Sequence, residues 1–367
     1  MKVICNRSRL AEALGLVSSV AVARSPRPIL QCLRMQAEDG ANSKLTLFAT
    51  DLELGLRCEL KEVEVTEPGQ TVASAAKLNA IVHEVTDETI TLSTEQDSLE
   101  VMAAGSKFKL FTFDPNEFPP VAPKEEGKVF TVTAGELTRV SALTGYAAAK
   151  ETTRYAINGL LVEVNGNKMI MVGTDGRRLA KASANLPSKV AEPISTIIPS
   201  RAVAMLSRLA TEVEAPVTIR VTESQVAFEV SGVLMISSVI EGRYPSYDAV
   251  IPKESTCKVK IDRLTLLSGL RRASLLVSRD TRGVKVQLSK DRMTIEAHSP
   301  EEGEAAVELP IELEGEPIQI AFNPDYLVDP LKILTQEQVV MEFRAPNTPA
   351  VLKAGPDFLY VLMPVTL

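Results

Sequence analysis

A run of apolar residues followed by a polar turn occurs three times along the chain, at equal intervals. The copies begin at Leu45, Met169 and Met293, which are 124 residues apart in each case. A repeat of this kind constrains the fold more than any single motif, because each copy must form one structural unit. We therefore predict three tandem domains of about 120 residues each.

Helical and strand patterns recur at nearly the same period. The first helical pattern of each copy begins at Leu10, Leu137 and Leu264, and the second near Lys77, Arg201 and Asp325. Apolar residues in the first helices recur at i, i+3 and i+4, which is typical of an amphipathic helix packed on a sheet. Alternating segments such as 89–93, 217–221 and 339–343 predict strands.

Strands outnumber helices in this pattern, and the two do not alternate as βαβ units. We therefore predict an α+β fold, with two helices and antiparallel sheets in each domain, rather than an α/β fold. Proline-containing linkers near 119–127 and 251–254 predict domains at 1–126, 127–252 and 253–367.

The middle copy ends in Thr174-Asp175-Gly176, which predicts a strand followed by a tight turn. An Asp side chain bonds nearby backbone in such a turn, and Gly tolerates positive φ. The next three residues, Arg177, Arg178 and Leu179, are peculiar to the middle copy, because Leu-Glu and Glu-Glu follow the same corner in the other two.

Charge is unevenly distributed over the chain. The net charge is −7, from 40 Lys and Arg against 47 Asp and Glu. Three segments around the first helices, 5–27, 137–154 and 263–282, nevertheless carry 12 basic and 3 acidic residues. One such helix would ordinarily be a solvated face, but three with the same bias favour a common anionic partner. Aromatic residues are almost absent from these helices, which favours the backbone of duplex DNA over single-stranded bases.

Sequence signatures of catalysis or cofactor binding are missing. The chain has no phosphate-binding glycine loop, no serine-hydrolase elbow, only two histidines, and four cysteines without a C-x-x-C pair. We predict a protein without cofactor, metal or catalytic site of its own. The N-terminus lacks a signal-peptide core and no run of 18 apolar residues occurs, so we expect a cytoplasmic protein without a membrane partner.

Six strings spread over the whole chain resemble the bacterial β sliding clamp family, the DNA polymerase III β subunit. They lie at residues 24–30, 49–53, 154–159, 174–180, 242–247 and 360–367. The resemblance implies a head-to-tail homodimer whose six domains close into a ring around duplex DNA, with helices lining the hole. It also implies a nucleoid-associated clamp that gives the replicative polymerase processivity, with DNA contact independent of sequence.

The resemblance implies a set of DNA-contacting residues, which we combine with basic residues of the charged segments. The set is Arg7, Arg24, Arg139, Lys150, Tyr155, Arg201, Arg271 and Arg279. Tyr155 has an equally good interpretation as a packed core residue. Ala156 and Glu151 depart from the family pattern, which commonly has an aromatic residue and an uncharged amide there.

The resemblance further implies a pocket that takes a short linear peptide from partner proteins. The partners are the polymerase catalytic subunit, the clamp loader, repair polymerases and mismatch-repair proteins. The matching positions are Ile157, Thr174, Gly176, Arg177, Arg178, Leu179, Pro245, Val250, Asn323, Tyr326, Val361, Leu362, Met363, Pro364, Val365, Thr366 and Leu367. Aliphatic walls would hold apolar anchors, while Thr174 and the arginines would bond the peptide backbone. Residues 361–363 have the alternative interpretation of a last edge strand, and Ala249 stands where the family often has a basic residue.

The dimer interface is expected to pair edge strands of the first and third domains. Residues 107–112 are a suitable strand on one side, and the matching set is Lys107, Phe108, Leu110, Leu275, Leu276, Glu301 and Glu304. Two interpretations from other classes compete with the clamp. One is a catalytic α+β protein with an unrecognised site, and the other is a repeat scaffold that binds only proteins, which would leave the basic helices unexplained.

Overall fold

The computed structural model describes residues 1–22, 24–103, 105–150, 156–209, 212–278 and 282–366. The chain forms two compact units. One contains Met1–Gly135 and Met205–Val239, and the other contains Glu136–Ala204 and Ile240–Leu367. The middle repeat therefore contributes residues to both units.

The first unit is built on one antiparallel sheet of 13 strands. Its strands are β1 (Lys2–Asn6), β2 (Cys32–Glu38), β3 (Lys44–Thr50), β4 (Leu54–Leu60), β5 (Glu64–Glu67), β6 (Gly69–Ser74), β7 (Thr89–Glu95), β8 (Ser98–Ala103), β9 (Ser106–Phe113), β10 (Lys128–Thr133), β15 (Pro216–Val221), β16 (Gln225–Val230) and β17 (Val233–Ser238). Their order across the sheet is β10-β15-β16-β17-β4-β3-β2-β6-β9-β8-β7-β1-β5. Helices α1 (Arg7–Ser18) and α2 (Ala75–Glu84) pack against each other and against strands of this sheet.

The second unit contains a sheet of nine strands and a sheet of four. The strands are β11 (Gly159–Asn165), β12 (Lys168–Thr174), β13 (Arg178–Asn185), β14 (Ile194–Pro199), β18 (Cys257–Asp262), β19 (Val284–Ser289), β20 (Arg292–Ser299), β21 (Gly303–Pro310), β22 (Glu312–Gly315), β23 (Ile318–Phe322), β24 (Gln338–Phe343), β25 (Ala350–Lys353) and β26 (Phe358–Leu362). The two orders are β14-β11-β12-β13-β26-β25-β24-β18-β22 and β21-β20-β19-β23. Helices α5 (Arg263–Ala273) and α6 (Pro324–Ile333) pack on each other here.

The described part of the chain has six helices, two in each repeat, as the sequence predicts. The remaining two are α3 (Ala134–Gly145) and α4 (Ser200–Leu209). Local side chains define where helices begin: Asn6 Oδ1 accepts a hydrogen bond from the backbone N of Arg9 at 3.2 Å, and Asp262 Oδ1 accepts one from that of Thr265 at 2.7 Å. The predicted strands at 89–93, 217–221 and 339–343 lie within β7, β15 and β24.

The last strand of one repeat pairs with the fourth strand of the repeat before it. In the first unit β17 lies beside β4, with Leu54 opposite Ser237. In the second unit β26 lies beside β13, with Arg178 opposite Leu362. Strand β26 also pairs with β25, so the interpretation of residues 361–363 as a last edge strand is wrong. This strand is covered on both sides because the two repeats share one sheet.

The second unit requires a glycine where a strand meets a helix. A Cβ on Gly173 would clash with the backbone oxygen of Thr144, so β12 approaches the end of α3 more closely than a side chain allows. Thr144 and its neighbour Val140 are fully buried there. This close approach brings the corner after β12 next to the segment that follows α3.

Candidate functional site

A cavity of about 320 Å³ opens in the second unit, at the corner between β12 and β13. The corner, strand β26 with its continuation, and the segment 245–250 form its walls. Its lining residues are Ile157, Thr174, Gly176, Arg178, Leu179, Pro245, Ser246, Tyr247, Val250, Val361 and Met363. Most of these side chains are apolar, so the cavity suits an apolar ligand group with a few polar contacts near it.

The predicted turn is present and is closed by its own side chains. Thr174 Oγ1 donates to the backbone oxygen of Arg178 at 2.6 Å and accepts from the backbone N of Gly176 at 3.1 Å. Asp175 Oδ1 accepts from the backbone N of Arg177 at 2.9 Å. Gly176 has a φ of 85°, the left-handed conformation that favours glycine. These bonds hold Thr174 in place as part of the cavity floor.

Arg178 is buried beneath the cavity and its guanidinium is fully engaged. It donates to Asp175 Oδ2 at 3.0 Å, to Asp329 Oδ2 at 2.6 Å and to the backbone oxygen of Tyr146 at 2.8 Å. Its Cζ atom lies 4.4 Å from the ring centroid of Tyr326. Burial alone would lower the pKa of Arg178, but the hydrogen bond it donates to Asp329 and its interactions with Tyr360 and Asp175 together outweigh burial and raise it. Few N–H groups of Arg178 are therefore left to donate the expected hydrogen bond to a peptide backbone. The residue instead connects the corner after β12, helix α6 and the segment after α3.

The segment 244–250 forms a wall through its tyrosines. The hydroxyl of Tyr244 donates to the backbone oxygen of Val172 at 3.0 Å, and the hydroxyl of Tyr247 donates to Glu163 Oε2 at 2.7 Å. Burial raises the pKa of both hydroxyls, which keeps them protonated as donors. Tyr247 and Ser246 were not among the residues predicted for the pocket, although both lie in the string 242–247 that carried the resemblance.

Nine residues predicted for the pocket surround the one cavity: Ile157, Thr174, Gly176, Arg178, Leu179, Pro245, Val250, Val361 and Met363. Others of the predicted set lie outside its lining. Arg177 is exposed, and Leu362 is buried in β26. Asn323 accepts from the backbone N of Asp325 as the N-cap of α6, and Tyr326 packs on Arg178.

The tail after β26 extends from the cavity along neighbouring backbone. The backbone N of Met363 donates to the oxygen of Arg177 at 2.9 Å, and that of Val365 donates to the oxygen of Ala321 at 2.9 Å. Pro364 and Thr366 belong to the same tail, whereas Leu367 lies outside the described residues. Because its backbone is held on both sides, Met363 stays at the cavity wall.

The residues predicted for DNA contact differ in how exposed they are. Arg24, Lys150, Arg201 and Arg271 are exposed, and Arg7 is half-buried. Arg139 instead donates to Glu136 Oε2 at 2.6 Å and to the backbone oxygen of Ser183 at 2.7 Å, which restricts its reach. Tyr155 and Arg279 lie outside the described residues, as does Glu151. This set stays a prediction.

The strands expected at a dimer interface have open edges within the described chain. Strand β9 pairs with β6 only at Thr112 and Phe113, which leaves residues 106–111 uncovered on that side. Phe108 and Leu110 are half-buried, while Phe111 is 84% exposed. Strand β21 is the end strand of its sheet. On β9, Lys107 Nζ already lies 2.8 Å from Glu100 Oε1 of the same chain.

The residues expected on the other side of the interface lie in the turn 274–276 and at the end of β20 and start of β21, beside the open edge of β21. Leu275 is 76% exposed and Leu276 is half-buried, in the turn that follows α5. Glu304 Oε1 lies 3.0 Å from His298 Nδ1. Glu301 is exposed. The ion pair of Lys107 with Glu100 and the contact of Glu304 with His298 compete with the pairing expected between subunits, so apolar contacts would carry more of such an interface.

Chemistry other than peptide binding would need metal ligands or reactive thiols among the residues that the structure describes. Those residues contain no group of three or more His, Cys, Asp or Glu side chains arranged to hold a metal ion. All four cysteines are buried, and burial raises the pKa of Cys5 to about 12 and that of Cys58 to about 11. No helix among the described residues is long and apolar enough to cross a bilayer.

Three family models match consecutive parts of the sequence. Residues 1–122 match the N-terminal domain of the DNA polymerase III β subunit, residues 131–246 its central domain and residues 248–366 its C-terminal domain. A Beta sliding clamp from Pseudomonas aeruginosa strain PAO1 is 32% identical over 366 residues, with 98% of each chain covered. The chain belongs to the DNA polymerase III β subunit family, the β sliding clamps. This confirms the family, the α+β repeat fold and the function of a DNA polymerase processivity clamp.

Solved structures of other sliding clamps have the same fold. The DNA polymerase III subunit β of Pseudomonas aeruginosa bound to griselimycin superposes with a TM-score of 0.95 at 31% identity, over 100% of both chains. The DNA polymerase sliding clamp of Bacillus subtilis has a TM-score of 0.95 at 24% identity, which supports the fold alone. A Pseudomonas putida Beta sliding clamp is 31% identical over 364 residues, with 98% of each chain covered.

Proposed function

We propose that this sliding clamp closes as a head-to-tail homodimer of six domains around duplex DNA. The domains would be 1–126, 127–252 and 253–367, and the ring would tether the replicative polymerase, clamp loader, repair polymerases and mismatch-repair proteins. The protein would act in the cytoplasm at the nucleoid, without cofactor or catalytic site. The observation that carries the tethering of partner proteins is the apolar cavity beside the Thr174 corner, in a chain of this family.

The cavity suits the apolar anchors of a linear peptide. Leu179, Val361 and Met363 give it aliphatic walls, and Arg177 lies exposed beside the corner as a polar flank. A groove of this kind binds a peptide through a few buried side chains, while the backbone on either side stays in solvent. Partners that share one short motif would compete for it.

The basic residues around the first helix of each repeat would attract the phosphates of duplex DNA without binding any one of them at a fixed position. Helix α1 has 12 residues, which is about 18 Å of rise and roughly ten duplex phosphates at one charge per ~1.7 Å. Contacts of this sort are weak and sensitive to salt, and they read no base sequence. The closed ring, rather than affinity, would keep the protein on DNA.

The proposal is tested with a fluorescein-labelled peptide from the polymerase subunit of the same organism. We expect saturable binding, competition by the unlabelled peptide, and loss of binding when Leu179→Asp puts a charge in the cavity. The control is Leu264→Asp, at an exposed leucine of α5. Equal binding by the wild type and the Leu179→Asp variant would contradict this assignment of the pocket.

A further inference from the structure

One wall of the cavity is a short segment that is held in place from outside the cavity. Pro245, Ser246, Tyr247 and Val250 line the pocket, and residues 247–250 form a single 3-10 turn. Val250 is 47% exposed at the mouth of the cavity. A turn of this length has little structure of its own, so its position depends on the side chains that fasten it to the sheet.

Tyr247 is the main fastening of this wall. Its ring is 8% exposed and packs in a cluster with Leu161, Val172, Leu179 and Val361, which lie on four adjacent strands. The ring therefore lies across the sheet face rather than along one strand. A tyrosine has only two side-chain torsions, so fixing its hydroxyl fixes both the ring and the backbone that carries it.

Two charged residues hold this ring from opposite sides of β12. Glu163, on β11, accepts the hydrogen bond from the Tyr247 hydroxyl at 2.7 Å. Lys181, on β13, places its Nζ atom 4.7 Å from the ring centroid of Tyr247 and 3.3 Å from Asp248 Oδ1. Neither Glu163 nor Lys181 lines the cavity, and neither appears among the residues expected to bind a peptide.

We propose that Glu163 and Lys181 are positioning residues of the partner-peptide pocket. A hydrogen bond to a carboxylate is stronger than one between neutral groups, and a cation over an aromatic face adds an attraction that depends on ring placement. Together they set the distance between the 245–250 wall and the opposite wall at Val361 and Met363. The inference rests on the proposed function of this cavity as a peptide site.

The test measures affinity and dissociation rate of the labelled polymerase peptide for variants of the full chain. We expect Glu163→Ala and Tyr247→Phe each to weaken binding roughly five- to tenfold, mostly through faster dissociation. Because both remove the same hydrogen bond, the double variant should bind no more weakly than either single one. Glu163→Gln, which keeps an acceptor oxygen, should bind within about twofold of the wild type.

The control variant is Glu296→Ala, which removes a carboxylate from the cross-strand ion pair with Lys285 at 3.0 Å, away from this wall. It should leave peptide affinity unchanged. Lys181→Met should weaken binding about twofold, because it keeps most of the apolar side chain but removes the charge. Tyr247→Phe tests the same bond if Glu163→Ala fails to fold, since it keeps the buried ring.

Two results would overturn the inference without touching the proposed function. One is unchanged peptide affinity in both single variants while the wild type binds. The other is additive loss in the double variant, which would mean that Glu163 and Tyr247 act separately. Absence of peptide binding by the wild type would instead contradict the proposed function of the pocket.

Discussion

The guanidinium of Arg178 joins parts of the chain that lie far apart in sequence. It binds Asp175 in the corner, Asp329 on α6 and the backbone oxygen of Tyr146 after α3. The Tyr360 hydroxyl also donates to the backbone oxygen of Tyr326 at 2.8 Å in the same region. A buried charge is costly unless it is fully paired, so the role of this residue is architectural before it is a matter of ligand binding.

Replacing Arg178 with Ala should destabilise the protein and the pocket together. The change removes the guanidinium from Asp175 and Asp329, and removal of one member of a buried pair typically costs about 3–5 kcal/mol. The Asp329 side chain is 32% exposed and also lies 3.9 Å from Lys332 Nζ, so the loss should fall toward the lower end of that range. Denaturant unfolding would measure the loss, and peptide titration below the transition would measure a weakened pocket.

Arg177→Ala is the matched control for that experiment, because the neighbouring arginine is exposed. Its free energy of unfolding should change by less than about 0.5 kcal/mol. Equal unfolding curves for the Arg178→Ala variant and the wild type would contradict the architectural role.

The Thr-Asp corner after β3 has the same wiring as the corner after β12. Thr50 Oγ1 donates to the backbone oxygen of Leu54 at 3.0 Å and accepts from the backbone N of Leu52 at 3.0 Å. A cleft of about 290 Å³ lies beside it, but Gly55 and Ser238 occupy the places that Leu179 and Met363 hold at the other corner. The first and second repeats thus share the hydrogen bonds of the corner, whereas the apolar lining is found at the corner of the second repeat.

Removing the tail after β26 should abolish binding at the cavity while leaving the sheets intact. Deletion of residues 363–367 takes away Met363 from the wall and the backbone bonds to Arg177 and Ala321. We expect the labelled peptide to bind at least tenfold more weakly, because Met363 is lost from the wall that it forms with Val361. The measurement is fluorescence anisotropy, with sedimentation to check that the dimer persists. Full affinity in the truncated chain would show that the tail takes no part.

Periodicity in the sequence predicts the helices and turns, because these depend on residues close together in the chain. All six helices and the corner after Met169–Val172 follow from apolar spacing and from Asp and Gly at fixed places. The pairing of β26 with β13 could not be predicted, because register between distant strands leaves no local signature. For the same reason Glu163 was not recognised: its importance comes from a tyrosine 84 residues further along the chain.

The same limit applies to the charged residues. Counting charges predicted basic helices, but it could not show that Arg139 would bind Glu136 and the backbone oxygen of Ser183. A side chain three residues from a carboxylate on one helix can pair with it or reach solvent, and packing decides between the two. Arg24, Lys150 and Arg271 are exposed, and contact of these side chains with phosphate stays a prediction.

At the scale of the whole molecule, the proposed ring depends on apolar contacts at open strand edges. Leu275→Ala combined with Leu276→Ala should yield monomers by sedimentation at concentrations where the wild type is dimeric. If each leucine contributes about 1.4 kcal/mol, each interface weakens roughly a hundredfold, and a closed ring with two such interfaces weakens roughly ten-thousandfold. Leu264→Ala, at a 58% exposed leucine on α5, is the control and should stay dimeric. A dimeric double variant would count against this interface.

Retention on DNA should depend on topology rather than on affinity. A protein loaded on circular duplex DNA is expected to stay bound in high salt and to leave when one restriction cut makes the DNA linear. Electrostatic contacts alone would be lost in high salt on either form. Gel filtration of labelled protein with each DNA form makes the comparison, with end-blocked linear DNA as the control. Stable retention on free ends would rule out a closed ring.

Strand β26 has a consequence for how the protein is made. Strand β13 is completed at Asn185, but the strand that covers its edge ends at Leu362. At about 5–20 residues per second, the ribosome needs roughly 10 to 40 s to make the intervening chain. During that time the edge of β13 is bare, and bare edges pair with other chains. Until the final strand emerges, this edge is open to pairing with the same edge of a neighbouring nascent chain.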